Sequence, residues 1–226
     1  MTAQDAESRE PKRVKSTPGA NSKIRLGILL SGRGSNFLAI ADAVLRGDLN
    51  AEIAIVISNV PDAQGIQRAA AMDFQTAVLP SRGRPRAAHD ADLVACLRKY
   101  EVEVVCLAGY MRLLSPEFIT SFPNRILNIH PSLLPAFPGL DAQKQAFDYG
   151  VKWTGCTVHF VDEHLDHGTI ILQRVVPVLE NEDVHSLADR ILAEEHIAYA
   201  EAIARVASGE WEIRGRRFVK RETPRT

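Results

Sequence analysis

The chain has few cysteines, no long apolar run and no large excess of either charge. Its 226 residues include 3 cysteines without a CxxC pair, so neither a disulfide framework nor a clustered zinc site is predicted. No segment approaches the ~20 consecutive apolar residues of a membrane span, and no apolar signal-peptide core begins the chain. The formal net charge of -1 gives no overall attraction to nucleic acid or anionic membranes. We therefore expect a cytoplasmic protein with neither nucleic acid nor membrane as a partner.

Hydrophobic residues make up 46% of the chain, enough for one sizeable core. Residues 1–22 are polar, charged and aperiodic, and we predict a disordered N-terminal tail. Residues 214–226 are strongly basic, and we predict a solvated, partly frayed C-terminal tail. Since no internal repeat or linker interrupts the rest, residues 23–213 are expected to form a single domain.

Strand-length apolar runs alternate with amphipathic stretches of helical spacing between these tails. Continuous apolar strands separated by helices predict an α/β fold with a mostly parallel central sheet and helices on both faces. Two later strand-like runs, 153–161 and 169–178, predict an antiparallel C-terminal addition, and 186–207 reads as a long closing helix. The earlier predicted strands are Ile24–Leu30, 53–57, 76–79, 102–107 and 125–128, and the helices are 37–46, 63–72 and 87–100.

A glycine-rich turn, Ser31-Gly32-Arg33-Gly34-Ser35-Asn36, lies between the first predicted strand and helix. Glycines allow close backbone approach, and free N–H groups at a helix start bind anions. The third glycine of GxGxxG is absent and no Lys-Ser/Thr follows, so a dinucleotide or ATP site is disfavoured. The alternative is a tight turn with Ser35 or Asn36 as the N-cap.

Asn128 and His130 lie two residues apart at the end of a predicted strand, which places them on the same side. Pro131 and Pro135 stiffen the segment that follows, so both polar side chains are expected to be held in place. At the carboxyl edge of an α/β sheet they would face a ligand crevice. A histidine beside a proline is also compatible with a purely structural role.

Asp166 lies in a polar loop between the two later strands, where its carboxylate could approach His130 or merely form a turn. The nearby histidines His159, His164 and His167 raise the question of a metal site. No acid or cysteine completes a familiar ligand spacing with them, so no metal site is predicted.

Four motifs together resemble one known family: SGRGSN at 31–36, AGYMRLLSPEF at 108–118, NIHPSLLPAFPG at 128–139 and HFVDEHLDHG at 159–168. In this order and spacing they are similar to the phosphoribosylglycinamide formyltransferases of de novo purine synthesis. The resemblance implies a Rossmann-like formyltransferase fold. It also implies transfer of a formyl group from the co-substrate 10-formyltetrahydrofolate to the amino group of 5-phosphoribosylglycinamide. Both partners are small molecules, no metal is required, and the protein is expected to be a monomer or homodimer.

Motif matching implies that Asn128, His130 and Asp166 form the catalytic set. Asn128 would donate an amide N–H to the oxygen of the tetrahedral intermediate, and charged His130 would stabilise the same oxygen. Asp166 would orient His130, favour its charged form and relay a proton.

The resemblance also implies two sets of binding residues. The residues implied for the phosphoribosyl substrate are Gly34, Ser35, Asn36 and Glu195. Arg86 would bind the glutamate carboxylate of the folate. For Leu113 and Leu114 the alternative to folate contact is packing in the protein core. The residues implied for folate binding are Arg86, Met111, Arg112, Leu113, Leu114, Asn128, Asp162, Glu163, His164, Leu165 and Asp166.

The sequence departs from the family at two places. Residues 140–143 replace a segment in which family members often carry histidines, and His167 stands where a second glycine is common.

Rival functions remain open. A formyltetrahydrofolate hydrolase usually adds an N-terminal regulatory domain, which 22 residues could not form. A methionyl-tRNA formyltransferase would add a C-terminal RNA-binding domain. A non-catalytic nucleotide-binding or interaction domain would leave Asn128, His130 and Asp166 without a reason to occur together.

Overall fold

The computed structural model describes residues 23–222, which contain nine strands and six helices. The strands are β1 Ile24–Leu30, β2 Ala51–Ser58, β3 Thr76–Val78, β4 Val104–Leu107, β5 Ile126–His130, β6 Trp153–Phe160, β7 Ile170–Pro177, β8 Trp211–Arg214 and β9 Arg217–Lys220. The helices are α1 Ser35–Arg46, α2 Gln64–Ala71, α3 Arg86–Lys99, α4 Pro116–Ser121, α5 Ala142–Tyr149 and α6 Val184–Ala207. The N-terminal segment 1–22, predicted to be disordered, lies outside the described residues.

All nine strands of the described range form one sheet in the order β3-β2-β1-β4-β5-β6-β7-β9-β8. The first five strands pair in parallel. In β1, Ile28 packs into a core shared with α1, α2 and α6, whereas the next residue, Leu29, packs into a second core with α3 and α4. Because helices cover both faces, parallel strands can be apolar throughout. The predicted α/β architecture is confirmed.

The order of the parallel strands reverses at β1, which pairs with β2 on one side and with β4 on the other. Connections that leave β1 and β4 therefore diverge, and open α/β sheets commonly bind ligands at the carboxyl ends of the strands at such a point. The segments that follow β1, β4 and β5 carry three of the four motifs found in the sequence. The topology thus brings those motifs to one edge of the sheet.

The second half of the sheet is antiparallel where the sequence predicted it. β6 pairs antiparallel with β5, and β7 pairs antiparallel with β6. Leu127 and Ile129 of β5 face the core that contains α6, so Asn128 and His130 face the opposite side of the sheet. A loop from residue 161 to residue 169 joins β6 to β7, and we call it the β6–β7 loop.

The predicted C-terminal tail 214–226 is wrong over residues 214–220, which take part in the β8–β9 hairpin. Phe218 is the reason, because its ring packs at 5.3 Å from Phe160 and stacks at 5.4 Å on Trp211. The folded domain therefore extends past residue 213.

The sequence did not predict α4 and α5, because segments of 6 and 8 residues show too little periodicity. No helix within residues 23–222 is long and apolar enough to cross a membrane.

Tyr199 links α6 to the sheet through hydrogen bonds. Its ring is fully buried, and its hydroxyl lies 3.0 Å from the Leu107 carbonyl of β4 and 2.9 Å from the Leu127 carbonyl of β5. A single donor shared by two strand carbonyls fixes the helix relative to both strands.

Tyr199→Phe should lower the free energy of unfolding by about 1–3 kcal/mol, because both buried carbonyls lose this donor. Urea denaturation measures the change. Tyr149→Phe is the matched control, since Tyr149 is 79% exposed and its hydroxyl bonds to no other residue of the range 23–222. Equal stability of the two variants would contradict a fastening role for Tyr199.

Candidate active site

Four polar side chains meet where β5, β6 and the β6–β7 loop approach one another. They are Asn128, His130, His159 and Asp166. Asn128 and His159 stand opposite each other in the β5–β6 ladder, and Asn128 Nδ2 donates to His159 Nε2 over 3.2 Å. The structure therefore joins the three predicted catalytic residues and adds His159, which the sequence suggested only as a rejected metal ligand.

The tautomer of His159 follows from its neighbours. Its Nδ1 lies 2.8 Å from the Phe160 carbonyl, which can only accept, so Nδ1 carries the proton and Nε2 accepts from Asn128. Burial lowers the pKa of His159 and keeps the ring neutral, although the Phe160 contact acts in the other direction. The amide of Asn128 is thereby oriented. Its second N–H has no acceptor among residues 23–222 and stays available.

His130 is buried between two acceptors. Its Nε2 donates to the Phe137 carbonyl over 2.8 Å, and its Nδ1 lies 3.4 Å from Asp166 Oδ2. The imidazolium form can donate to both neighbours at once. Both ring nitrogens of His130 therefore face hydrogen-bond acceptors.

Asp166 reaches this centre from a strained position in the β6–β7 loop. Its φ of 50° lies in the left-handed region, and its carboxylate accepts a 2.8 Å hydrogen bond from the Gly139 N–H. Asp166 Oδ1 also lies 3.8 Å from His159 Nε2. Both carboxylate oxygens are thus directed at site residues, and Asp166 bridges the β6–β7 loop and the segment after β5.

A short polar network holds the segment after His130. Ser132 Oγ donates to the Ala136 carbonyl over 2.6 Å, and Thr157 Oγ1 donates to the Ser132 carbonyl over 2.7 Å. Thr157 Oγ1 also accepts from the Leu134 N–H at 3.0 Å. These contacts fix the segment that supplies the Phe137 carbonyl, in agreement with the stiffness predicted from the prolines.

The glycine-rich turn after β1 packs against α2. Gly34 has a φ of 75°, and a β-carbon there would lie 2.7 Å from the α-carbon of Gly65. Gly65 N–H donates to the Gly32 carbonyl over 2.9 Å. The prediction of Ser35 or Asn36 as N-cap is wrong, because the close approach places Gly34 at the cap and starts α1 at Ser35. No acidic residue occupies the first turn of α1, so its N–H groups can bind an anion.

Asn36 and Glu195 form a buried pair between α1 and α6. Asn36 Nδ2 donates to Glu195 Oε2 over 2.8 Å. Burial raises the pKa of Glu195 to about 7, even though the bond from Asn36 lowers it. Two of the residues predicted for the phosphoribosyl substrate therefore lie in contact, beside the glycine-rich turn.

The segment after β4 is divided between surface and core. Met111 and Leu113 are exposed, whereas Leu114 belongs to the core that contains α3 and α4. Arg112 Nη1 donates to the Ser81 carbonyl over 3.2 Å and its Nη2 to the Arg84 carbonyl over 3.0 Å. Its guanidinium therefore holds the loop that precedes α3.

Arg86 is the exposed first residue of α3. Its guanidinium bonds to no other side chain or carbonyl between residues 23 and 222, and it is free to meet a ligand carboxylate. Of the residues predicted for folate, Arg86, Met111 and Leu113 present side chains to solvent, whereas Leu114 and the guanidinium of Arg112 serve the protein interior.

Exposed side chains line the outer part of the β6–β7 loop, where Glu163, His164 and Leu165 face solvent. Asp162 accepts from the His164 N–H and from His167 Nδ1, both at 2.9 Å. Burial alone would raise the pKa of Asp162, but these two bonds hold it below its usual value.

The sequence spacing predicted that no acid would join the histidines as a potential metal ligand, but Asp162 lies beside His164 and His167. Potential ligand atoms of Asp162, His164 and His167 lie within 4.8 Å of one another. The turn of the backbone between residues 162 and 167 brings them together, which linear spacing did not reveal. The guanidinium of Arg216 lies 3.1 Å from His167 Nε2, and its positive charge opposes a cation there.

Comparison with known proteins identifies the family of this chain. The formyl transferase family model matches residues 24–203, so the chain belongs to the formyl transferase family.

Curated relatives include the trifunctional purine biosynthetic protein adenosine-3 of Chironomus tentans. It is 45% identical over 190 residues, which cover 83% of this chain and 14% of that protein. The phosphoribosylglycinamide formyltransferase of Escherichia coli is 40% identical over 183 residues, which cover 80% of this chain and 86% of that protein. The chain thus spans about a seventh of the first relative and most of the second.

Solved structures share the fold. Glycinamide ribonucleotide transformylase 1 of Symbiobacterium toebii is 49% identical, with a TM-score of 0.87 and coverage of 92% of this chain and 99% of that one. A formyltetrahydrofolate deformylase of Pseudomonas syringae is 25% identical, with a TM-score of 0.83 and coverage of 90% of this chain and 67% of that one. The predicted Rossmann-like formyltransferase fold is confirmed.

The buried carboxyl of Glu195 should make stability depend on pH. Its pKa is raised from 4.5 to about 7 on folding, so the unfolded chain releases this proton first as the pH rises. The free energy of unfolding should therefore fall between pH 4.5 and 7, on the order of 3 kcal/mol in total from this residue.

Glu195→Gln should remove that part of the pH dependence, because the amide does not ionise. Chemical denaturation at pH 5 and at pH 8 measures it, and the exposed Glu117→Gln serves as control. If wild type and Glu195→Gln lost equal stability over this range, Glu195 would not be a buried titrating group.

Proposed function

We propose that the protein transfers the formyl group of 10-formyltetrahydrofolate to the amino group of 5-phosphoribosylglycinamide, in the cytoplasm. The observation that carries the proposal is the meeting of the side chains of Asn128 and His130 of β5 with Asp166 of the β6–β7 loop. The Escherichia coli relative, which is 40% identical over 86% of its length, is named a phosphoribosylglycinamide formyltransferase, and this name supports the ribotide as the formyl acceptor. The three cysteines are free thiols, which is compatible with a reducing compartment.

The reaction needs an oxyanion site and a route for one proton. The substrate amine attacks the formyl carbon, a C–N bond forms, and the formyl oxygen gains negative charge. The second N–H of Asn128 and the imidazolium of His130 would stabilise that oxygen. The bond between the formyl carbon and the folate nitrogen then breaks. Asp166 would accept the proton from the amine and pass it, directly or through water, to the departing nitrogen. No step of this scheme requires a metal.

The binding residues divide between the two substrates. Backbone N–H groups of Gly34, Ser35 and Asn36 would hold the phosphate, and Glu195 would meet the sugar. Exposed apolar side chains of Met111, Leu113 and Leu165 would pack against the folate, and Arg86 would bind its glutamate carboxylate.

A formyl-transfer assay tests the function. Absorbance is followed as a 10-formylfolate donor loses its formyl group, with and without the ribotide. Conversion that requires the ribotide supports transfer. Conversion without it favours a hydrolase, the second candidate, to which the deformylase fold likeness points. Absence of conversion in both arms rejects both enzymatic proposals, and a folate-binding titration then tests the remaining one, a non-catalytic binding domain.

Asn128→Ala should lower turnover on the order of 10²–10³-fold, because the tetrahedral oxygen loses a preorganised donor. Steady-state kinetics measure it. Asn50→Ala, at the opposite edge of the sheet before β2, should behave as wild type. Undiminished turnover in Asn128→Ala would remove this residue from the mechanism.

Asp166→Asn should lower turnover on the order of 10²–10⁴-fold while leaving substrate dissociation constants nearly unchanged, because the amide is no base. Kinetics and equilibrium titration together separate the two effects. Asp73→Asn is the control, since Asp73 is exposed and shares the left-handed backbone with a φ of 60°. Weakened binding with full turnover at saturation would instead make Asp166 a binding residue.

A further inference from the structure

The turn of the C-terminal hairpin touches the loop that carries Asp166. Arg216, between β8 and β9, donates from Nη2 to the His167 carbonyl over 2.6 Å and from Nη1 to His167 Nε2 at 3.1 Å. His167 follows Asp166 directly in the chain. The Arg216 guanidinium therefore forms hydrogen bonds with both the backbone carbonyl and the ring of the residue next to Asp166.

The donors and acceptors in this contact allow only one direction for each hydrogen bond. An arginine has no acceptor, so Nε2 of His167 must accept, and the ring proton lies on Nδ1. Nδ1 then donates to Asp162 Oδ2 over 2.9 Å. The chain of bonds runs from Arg216 through His167 to Asp162, the second residue after β6. It ties the far end of the β6–β7 loop back to its beginning.

We propose that Arg216 is a positioning residue that holds the β6–β7 loop, and with it Asp166, through His167. The role of Asp166 in turnover rests on the proposed function, whereas the restraint on the loop does not. Asp166 needs such a restraint, because its left-handed backbone must be kept while its Oδ2 lies 3.4 Å from His130.

The hairpin provides a firm base for Arg216. Phe218 packs on Phe160 of β6, Trp211 stacks on Phe218, and the Arg205 guanidinium lies 4.8 Å above the Trp211 ring. β9 also pairs with β7 through Arg217 and Ile170. Because the Arg216 contact itself is solvent-exposed, it should add little to global stability. Its effect should be local to the loop.

Arg216→Ala should lower kcat about tenfold, with the KM for the ribotide within about twofold and the melting temperature unchanged. Arg216→Lys should recover only part of the loss, since an ammonium keeps the charge without the planar fork. Arg217→Ala is the matched control. It removes the same charge one residue away, and its guanidinium bonds to nothing within the described range. Equal effects of Arg216→Ala and Arg217→Ala would overturn the proposal.

A double-mutant cycle tests whether Arg216 acts through His167. His167→Ala should resemble Arg216→Ala, and the combined variant should be no worse than His167→Ala alone. Losses that multiply in the double variant would place the action of Arg216 elsewhere.

Amide hydrogen exchange gives a readout that does not depend on activity. Peptides that span residues 161–169 should exchange faster in Arg216→Ala than in wild type or Arg217→Ala. Unchanged exchange would refute the restraint even if activity fell. A wild-type protein without formyl transfer would refute the proposed function alone, because the exchange comparison would still decide whether Arg216 holds the loop.

Discussion

Antiparallel pairing of β5 with β6 is the constraint on which the candidate site depends. The register sets His159 opposite Asn128 and so fixes the Asn128 amide. The pairing of β6 with β7 then closes the loop between them, since the Phe160 N–H bonds to the Thr169 carbonyl over 2.9 Å. At Gly168 a β-carbon would lie 1.8 Å from the Phe160 carbonyl oxygen, so only glycine allows this closure. The closed loop brings Asp166 to His130.

Two histidines a few ångströms from one carboxylate have different environments and thus different tasks. His159 meets one acceptor and one donor, and its burial keeps it neutral. His130 meets a hydrogen-bond acceptor at each ring nitrogen. In the proposed mechanism, environment rather than residue type assigns one ring to orienting Asn128 and the other to meeting developing negative charge, a common division of roles in active sites.

Much of the fold could be predicted from the sequence because the strands β1 to β7 carry apolar runs and α1, α2, α3 and α6 have helical spacing. The β8–β9 hairpin could not, because its few apolar residues are interleaved with arginines and its packing partner, Phe160, lies far away in sequence. Within the site, alternation alone put Asn128 and His130 on one side. His159 required the antiparallel register, and a single sequence contains no signal for a register of that kind.

The pairing of Glu195 with Asn36 could not be predicted from the sequence either, because 159 residues separate them. The geometry of α6 explains it. Tyr199 lies one turn after Glu195 on the same face of α6, and its hydroxyl is fixed by carbonyls of β4 and β5. Once those strands set the position of Tyr199, the preceding turn must face the start of α1. Burying a carboxyl is costly, and this geometry offsets part of the cost by placing an amide donor within reach. The contact that stabilises the helix therefore also places a polar group beside the glycine-rich turn, so core packing and the proposed recognition of the substrate depend on the same register of α6.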